Sequence, residues 1–341
     1  MKVATVMRAM SSQANVFEQV LIHTGQHYDD NMSRVFFEET QLRDPDVNLG
    51  IGSGTHAEQT AKVMLALEPV LLQRSPDWVT VIGDVNSTLA AALACAKVGI
   101  RVAHIEAGLR SFDRAMPEEV NRLLTDHLSA MLLCPSEVAV ANLLREGIGE
   151  GVHVVGDVLY DAMLQFMPAA DRIASPAGSL ALGPGEYALA TIHRAGNTDD
   201  PQRLSQILRC LEAAGVPVIF PVHPRTRTAL EVIGAARPVN IRMLEPVSYV
   251  AMLRLERDAR FILTDSGGVQ REAFWLGVPC ITLRDQTEWV ETVSTGWNQL
   301  VGVDPGRVRA AVAKAKPTEQ APQCYGDGHA ADRIAALFSE S

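Results

Sequence analysis

The chain has 341 residues, a length that suggests roughly two domains. Hydrophobic residues make up 47% and charged residues 21%, which excludes disorder, collagen and coiled coil. The net charge of −10, from 30 Lys+Arg against 40 Asp+Glu, argues against a broad basic face for nucleic acid. An anionic small substrate stays open, because local dipoles and a few cations suffice for one phosphate group.

The chain opens with a strand-like run at 3–6, so no signal peptide is expected. No stretch approaches the ~18 uninterrupted apolar residues of a membrane span. The longest candidate, 89–105, contains Lys97 and Arg101. Five scattered cysteines with no Cys-x-x-Cys pair fit reduced thiols, and neither a zinc framework nor any other metal site is expected. These features predict a cytoplasmic protein with no membrane partner.

Further strands are predicted at 18–23, 78–82, 102–105 and 131–134, then at 152–155, 187–192, 218–222, 241–243, 261–263 and 280–283. Helices fit between them at 60–73, 87–98, 117–128, 136–146, 201–214, 248–259 and 268–276, with a last one at 331–338. Strands alternating with helices predict parallel sheet covered on both faces, and the continuous apolar runs agree. The Pro- and Gly-rich stretch 167–185 separates two blocks of similar pattern, which places a domain boundary near it. Strands 3–6 and 18–23 should be parallel neighbours. The 11 residues between them are too few for a crossover of about a dozen or more residues with a helix. The spacing argues that the chain is short of residues after Val6.

Ligands of doubly wound sheets sit outside the carboxyl ends of the strands. After strand 78–82 comes Gly83-Asp84-Val85-Asn86-Ser87-Thr88, and after 102–105 comes Glu106-Ala107-Gly108-Leu109-Arg110. If these strands are adjacent, two carboxylates lie about 4.8 Å apart in backbone terms. Like charges that close separate their pKa values, one way to set an acid beside a base. Asp84 alone would equally serve as a helix N-cap. Glu106, followed by Ala-Gly, is needed by no helix start. Glu118 and Glu119 follow Pro117, which is also ordinary helix-start chemistry.

In the second block, strand ends lead into His193-Arg194-Ala195-Gly196-Asn197 and His223-Pro224-Arg225. Either histidine would serve equally as a satisfied turn or core imidazole. Thr264-Asp265-Ser266-Gly267-Gly268 opens a helix whose exposed N–H groups would cradle a diphosphate, with Glu272 one turn on for ribose hydroxyls. A plain Ser-capped helix has the same pattern. Gly-x-Gly-x-x-Gly after the first strand and a P-loop are both absent, and no dinucleotide or other cofactor is expected. The glycines at 50–54 read as a loop. The segment 285–291 reads either as a ligand-lining strand end or as an exposed loop.

These motifs together resemble the non-hydrolysing UDP-N-acetylglucosamine 2-epimerase family. The resemblance rests on Gly83-Asp84-x-Asn86-Ser87-Thr88, His104-Ile105-Glu106-Ala107-Gly108-Leu109-Arg110 and Met116-Pro117-Glu118-Glu119-x-Asn121-Arg122. It continues in Thr191-x-His193-Arg194, Pro221-Val222-His223-Pro224, Thr264 to Ala273 and Tyr325-Gly326-Asp327-Gly328, and so covers nearly the whole chain. His23-Thr24-Gly25-Gln26-His27-Tyr28-Asp29, Gly54-Thr55-His56 and Thr287-Glu288-Trp289-Val290-Glu291 look closest to the branch acting on UDP-2,3-diacetamido-2,3-dideoxyglucuronate.

The resemblance implies an α/β fold of glycosyltransferase-B type, two Rossmann-like doubly wound domains facing a cleft. The expected division is 1–165, with the helix of 329–341 packing back on it, and 166–328 as the UDP-binding half. It implies a UDP-N-acetylhexosamine 2-epimerase, acting by elimination of UDP and re-addition, for surface polysaccharide precursors. Asp84, Glu106, Glu118 and His193 take catalytic roles, and Arg110, His223, Ser266, Gly267, Gly268 and Glu272 bind substrate. A homodimer is expected from the family. Two departures stand out. The family's Gly-Thr/Ala-Arg-Pro-Glu/Gln after the first strand, with its cleft Arg, is missing here, and Gly196 stands where the family usually has Glu. The alternatives are a UDP-sugar glycosyltransferase of the same fold, a hydrolysing 2-epimerase, or a non-enzymatic nucleotide-sugar sensor.

Overall fold

The computed structural model describes residues 1–13, 17–25, 42–234, 238–314, 317 and 319–340. Its first element corrects the sequence reading. Residues 3–6 are not a strand, because Lys2–Ser12 forms a helix, α1. The spacing already explains why: a strand there lacks the chain length to cross over to a parallel neighbour. Helix formation instead turns Ala4, Thr5, Val6 and Ala9 inward together. Of 18–23 only Ile22–His23 (β1) pairs, in parallel with Val47–Asn48 (β2), a strand too short to announce itself in sequence. Gln26, His27, Tyr28 and Asp29 lie outside the described residues.

The chain continues through α2 (His56–Arg74), β3 (Trp78–Ile82), α3 (Asn86–Val98), β4 (Arg101–Ile105), α4 (Pro117–Leu128), β5 (Met131–Cys134), α5 (Glu137–Arg145), β6 (Val152–Val154) and α6 (Val158–Arg172). A 3-10 turn at Pro176–Leu180 precedes β7 (Ala188–Thr191), α7 (Ala195–Thr198), α8 (Pro201–Glu212), β8 (Val218–Pro221), α9 (Pro224–Ile233) and β9 (Ile241–Leu244). Then come α10 (Tyr249–Asp258), β10 (Phe261–Thr264), α11 (Gly267–Trp275), β11 (Cys280–Thr282), α12 (Val290–Ser294), β12 (Asn298–Leu300), α13 (Pro305–Ala313) and α14 (Ala330–Ser339). Part of the stretch read as loop, 167–172, is the end of α6, with Pro168 inside the helix and Phe166 and Ala170 buried.

Two compact units divide the chain: Met1–Ala162 with Gln323–Ser341, and Met163–Pro322. In the first, β3, β4, β5 and β6 pair in sequential order, all parallel. Successive residues of β4 face opposite layers. Ala103 and Ile105 pack with Val6 and Ala9 of α1 and with Ala331, Ile334 and Ala335 of α14. Val102 packs with Leu67 and Leu71 of α2 and Ala92 and Cys95 of α3. In the second unit six parallel strands run in the order β12-β11-β10-β7-β8-β9. Their two faces carry separate apolar layers, one with Leu208 and Val308, the other with Leu255 and Ala273.

A buried charge cluster braces the carboxyl end of β4. His104 Nδ1 lies 2.6 Å from Asp126 Oδ1, and Gly108 N–H and Arg110 Nη1 donate to Asp126 Oδ2 at 3.1 and 2.7 Å. Arg110 also donates to Glu146 Oε1 and Oε2 at 2.8 and 2.6 Å and to the Leu109 carbonyl at 2.8 Å. Arg110, expected from the sequence to bind substrate, is buried and makes four hydrogen bonds within this chain, which give it a bracing role. Burial disfavours charge on Asp126, but His104 and Arg110 outweigh it and hold the carboxyl below the usual carboxylate range. Burial likewise opposes charge on His104, yet Asp126 raises that imidazole above its ordinary value.

Two predictions follow from this packing. Asp126→Asn takes the buried counter-charge from His104 and leaves Arg110 with Glu146 alone, and should cost about 3–5 kcal/mol in urea unfolding at neutral pH. The depressed carboxyl contributes stability above the ordinary carboxylate pKa and loses it as pH falls through its lowered value. That contribution to the acid slope should vanish in the variant, and a wild-type slope would contradict the assignment. Gly108 has φ +79°, and a Cβ there would stand 2.4 Å from the Ala139 carbonyl oxygen. Gly108→Ala should cost about 1–3 kcal/mol from backbone strain alone, read by the same unfolding measurement.

Candidate active site

The carboxylates of the first unit are placed by strand register. Ile82 of β3 pairs with Ile105 of β4, so the chain leaves both strands at one edge. Gly83 N–H donates to the Ile105 carbonyl at 3.0 Å, and Asp84 and Glu106 follow immediately. Asp84 is not the cap of α3, because Val85 holds that position with no side-chain capping bond. Its Oδ2 instead accepts from Arg122 Nη1 at 2.5 Å, while Asn121 Nδ2 holds its backbone carbonyl at 2.8 Å. Glu106 has φ +73° and is 6% exposed. That left-handed backbone costs a non-glycine residue on the order of 1–3 kcal/mol and is typical of functional positions. Its Oε2 accepts from Lys2 Nζ at 2.6 Å.

Like-charge repulsion between the two acids was the sequence expectation. The geometry adds what the sequence did not reveal, a cation within hydrogen-bond reach of each. Glu119 is the structural acid of the pair at the start of α4. It accepts from Ser111 N–H and Phe112 N–H, each at 2.9 Å, and from Arg122 Nη2 at 2.8 Å. Burial opposes its charge, but these donors hold it below the usual carboxylate range. Glu118, one residue earlier, is half-buried in the first turn behind Pro117.

In the second unit the strand order reverses between β10 and β7, the topological switch point where ligands of such sheets bind. Thr191 and Thr264, the last residues of those strands, are register partners whose hydroxyls lie 2.6 Å apart. Asp265 follows, fully buried, and ties the facing loop. It accepts from His193 N–H at 3.2 Å, Arg194 N–H at 3.1 Å and Asn197 Nδ2 at 3.0 Å. Asp265 orders this corner, a role sequence reasoning missed; the signal was a lone Asp between a strand and a capping Ser. The His193 side chain is 44% exposed, and its ring centroid lies 6.0 Å from that of His223. His223 caps α9, its Nδ1 accepting from Arg225 N–H at 3.2 Å.

Ser266 caps α11 through its hydroxyl, which accepts from Val269 N–H. A Cβ at Gly267 would meet Glu288 Oε1 and Trp289 Nε1, each at 2.8 Å, so any other residue there has to displace those buried side chains. The first N–H groups of α11, from Gly267 and Gly268, have no intrahelical acceptors, and the helix dipole favours an anion beside them. Glu272 is 4% exposed, and its Oε1 accepts the Tyr249 hydroxyl at 2.6 Å. Behind it Glu256 is fully buried; burial, then the charge of Glu272, pushes its carboxyl well above the ordinary range.

The segment 285–291 is not the exposed loop of the two readings. Asp285 is exposed, while Thr287, Glu288, Trp289 and Glu291 are buried. Trp289 stacks under the Arg271 guanidinium at 3.7 Å, and Glu288 pairs with Arg284 at 2.8 Å. Gly196 lies in α7, with open space where a side chain would project. Thr55 and Glu58 form a capping box at the start of α2, and His56 Nδ1 meets the Asn86 side chain at 3.1 Å. Each unit thus gathers its own chemistry: Asp84 and Glu106 in the first, and His193, His223, Ser266–Glu272 in the second.

A family model described as UDP-N-acetylglucosamine 2-epimerase matches residues 9–339. The chain is 46% identical to a UDP-N-acetylglucosamine 2-epimerase homolog of Methanococcus maripaludis, over 94% of this chain and 92% of that protein. It is 45% identical to the UDP-2,3-diacetamido-2,3-dideoxy-D-glucuronate 2-epimerase of Pseudomonas aeruginosa, over 99% of this chain and 96% of that protein. Among solved structures, the UDP-GlcNAc 2-epimerase of Methanocaldococcus jannaschii, in complex with UDP-GlcNAc and UDP, superposes with a TM-score of 0.92 at 43% identity. That match covers 100% of this chain and 96% of the other. The fold is of glycosyltransferase-B type, with two Rossmann-like domains. With motifs, fold and relatives in agreement along its length, the chain belongs to the UDP-N-acetylglucosamine 2-epimerase family of isomerases.

Proposed function

We propose that this chain inverts C2 of a UDP-N-acetylhexosamine, either UDP-GlcNAc/UDP-ManNAc or the 2,3-diacetamido uronate analogue, and supplies precursors for surface polysaccharide. The C2–H bond is not activated by a neighbouring carbonyl. The reaction therefore runs by elimination. A carboxylate takes the C2 proton, the C1–O bond breaks with its electron pair leaving on the UDP oxygen, and a C1=C2 double bond forms. Protonation of C2 from the opposite face and re-addition of UDP to C1 complete the inversion. Two carboxylates suit two faces better than one residue does.

Asp84 and Glu106 handle the C2 proton, and Glu118 positions or relays. The helix tip at Ser266, Gly267 and Gly268, with His193 and His223, holds the diphosphate and stabilises it as it departs. Glu272 takes the ribose. The observation that carries the reading is the placement of Asp84 and Glu106 directly after register-paired strands, with Glu106 buried in a left-handed backbone conformation. Charge needed at a reacting carbon is the simplest reason to keep a strained, buried acid there. The relatives named for UDP-GlcNAc and for the diacetamido uronate support the substrate class.

The test is incubation with UDP-GlcNAc or the diacetamido uronate in D2O without acceptor. Deuterium should appear at C2 of recovered UDP-sugar. Free hexosamine with UDP would instead identify a hydrolysing epimerase, and turnover only on adding an acceptor would identify a glycosyltransferase. Glu106→Gln should abolish the exchange; near-normal exchange in that variant removes Glu106 from the mechanism.

A further inference from the structure

Glu106 is held by a residue far away in sequence. Lys2, at the start of α1, places its Nζ 2.6 Å from Glu106 Oε2, with the lysine side chain 28% and the glutamate side chain 6% exposed. The contact is backed by bare backbone. Gly83, at φ +74°, flanks the pair, and a Cβ there would lie at ordinary contact distance from both, 3.4 Å from Glu106 Oε2 and 3.8 Å from Lys2 Nζ. The helix carrying Lys2 is fixed in turn, because Val6 and Ala9 are core residues packed with Ile105, which directly precedes Glu106. Position, direction and support of the ammonium thus all derive from the sheet edge that presents the carboxylate. His104 also interacts with Glu106, and it is committed to Asp126 and to the Gly83 carbonyl, 2.8 Å away.

We propose that Lys2 is a positioning residue for Glu106, binding one carboxylate oxygen so that the carboxylate stays fixed and charged at the strand end. This rests on the epimerase reading, and on Glu106 acting at C2. A carboxylate with 6% exposure has little water to solvate it, and an unpaired charge there is costly. The charge-assisted bond from Lys2 to Oε2 contributes that solvation and constrains the rotamer. Lys2 transfers no proton in this scheme; the C2 proton passes to and from the glutamate. Nothing in the composition marks this lysine, which is one of 30 Lys+Arg residues.

The experiment compares wild type, Lys2→Met and Lys2→Arg in the D2O exchange assay across pH. Loss of the ammonium should lower kcat on the order of 10²-fold, the scale of a misplaced catalytic group, with KM changed less than about threefold. The acidic limb of the kcat profile should move to higher pH, because a buried carboxyl without its cation ionises later. Lys2→Arg, which keeps the charge, should recover most of the rate and the limb. UDP binding and far-UV circular dichroism confirm that each variant is folded, and Lys2→Gln is read in place of Lys2→Met should that variant not fold. Wild-type kcat and an unmoved limb in Lys2→Met overturn the proposal, as does a Lys2→Arg enzyme as impaired as Lys2→Met. Failure of the wild type to exchange overturns the epimerase reading itself, and this role with it, so the two failures are told apart by the first sample.

Discussion

In a parallel sheet every strand runs out at the same edge, and the residues that follow are delivered side by side. That constraint organises both units of this protein. Pairing of Ile82 with Ile105 sets Gly83-Asp84 beside Glu106, and pairing of Thr191 with Thr264 sets His193 beside Asp265 and Ser266. The functional groups are then refined by short polar contacts. Asp265 gathers the backbone of His193 and Arg194, and Arg122 links Asp84 to Glu119. None of these bonds has to select the fold; each trims a geometry already imposed by the strand ends.

The two units handle charge in opposite ways. In the first, carboxylates pair with cations brought from other elements: Asp84 with Arg122 of α4, Glu106 with Lys2 of α1, and Asp126 with Arg110 and His104. In the second, the helix tip at Gly267 offers backbone N–H groups, and the nearby acids are used as internal acceptors, as Asp265 and Glu272 are. The elimination proposed above calls for both kinds of group, acids for proton transfer and N–H donors for a departing pyrophosphate.

Much of this was legible in the sequence, and the reasons are specific. Continuous apolar runs such as Val218–Pro221 and Phe261–Thr264 announced buried parallel strands, and the polar residues directly after them marked the sheet edge. The first segment misled because Val3-Ala4-Thr5-Val6 has strand composition; only its distance from the next strand hinted otherwise, and the packing of α1 on Ile105 decided the matter. The internal partners of Arg110 were hidden for a different reason. A motif arginine after a strand looks ligand-facing, but side-chain direction depends on Asp126 and Glu146, which lie 16 and 36 residues away. The partnership of Lys2 with Glu106 spans 104 residues, and no local pattern encodes it. Long-range ion pairs are legible only once the backbone has brought them together.

The tight fit around Gly267 has an optical consequence. The Trp289 indole nitrogen lies 2.8 Å from where a Cβ of that glycine would stand, and the Arg271 guanidinium covers the ring at 3.7 Å. The indole is 3% exposed, so water quenches it little, and its excited state is governed instead by the fixed charges around it. An anion at the helix tip would add its charge to that local field. Under the proposed function Trp289, one of four tryptophans, is a fluorophore beside the helix tip that holds the diphosphate, and its emission responds to an anion there.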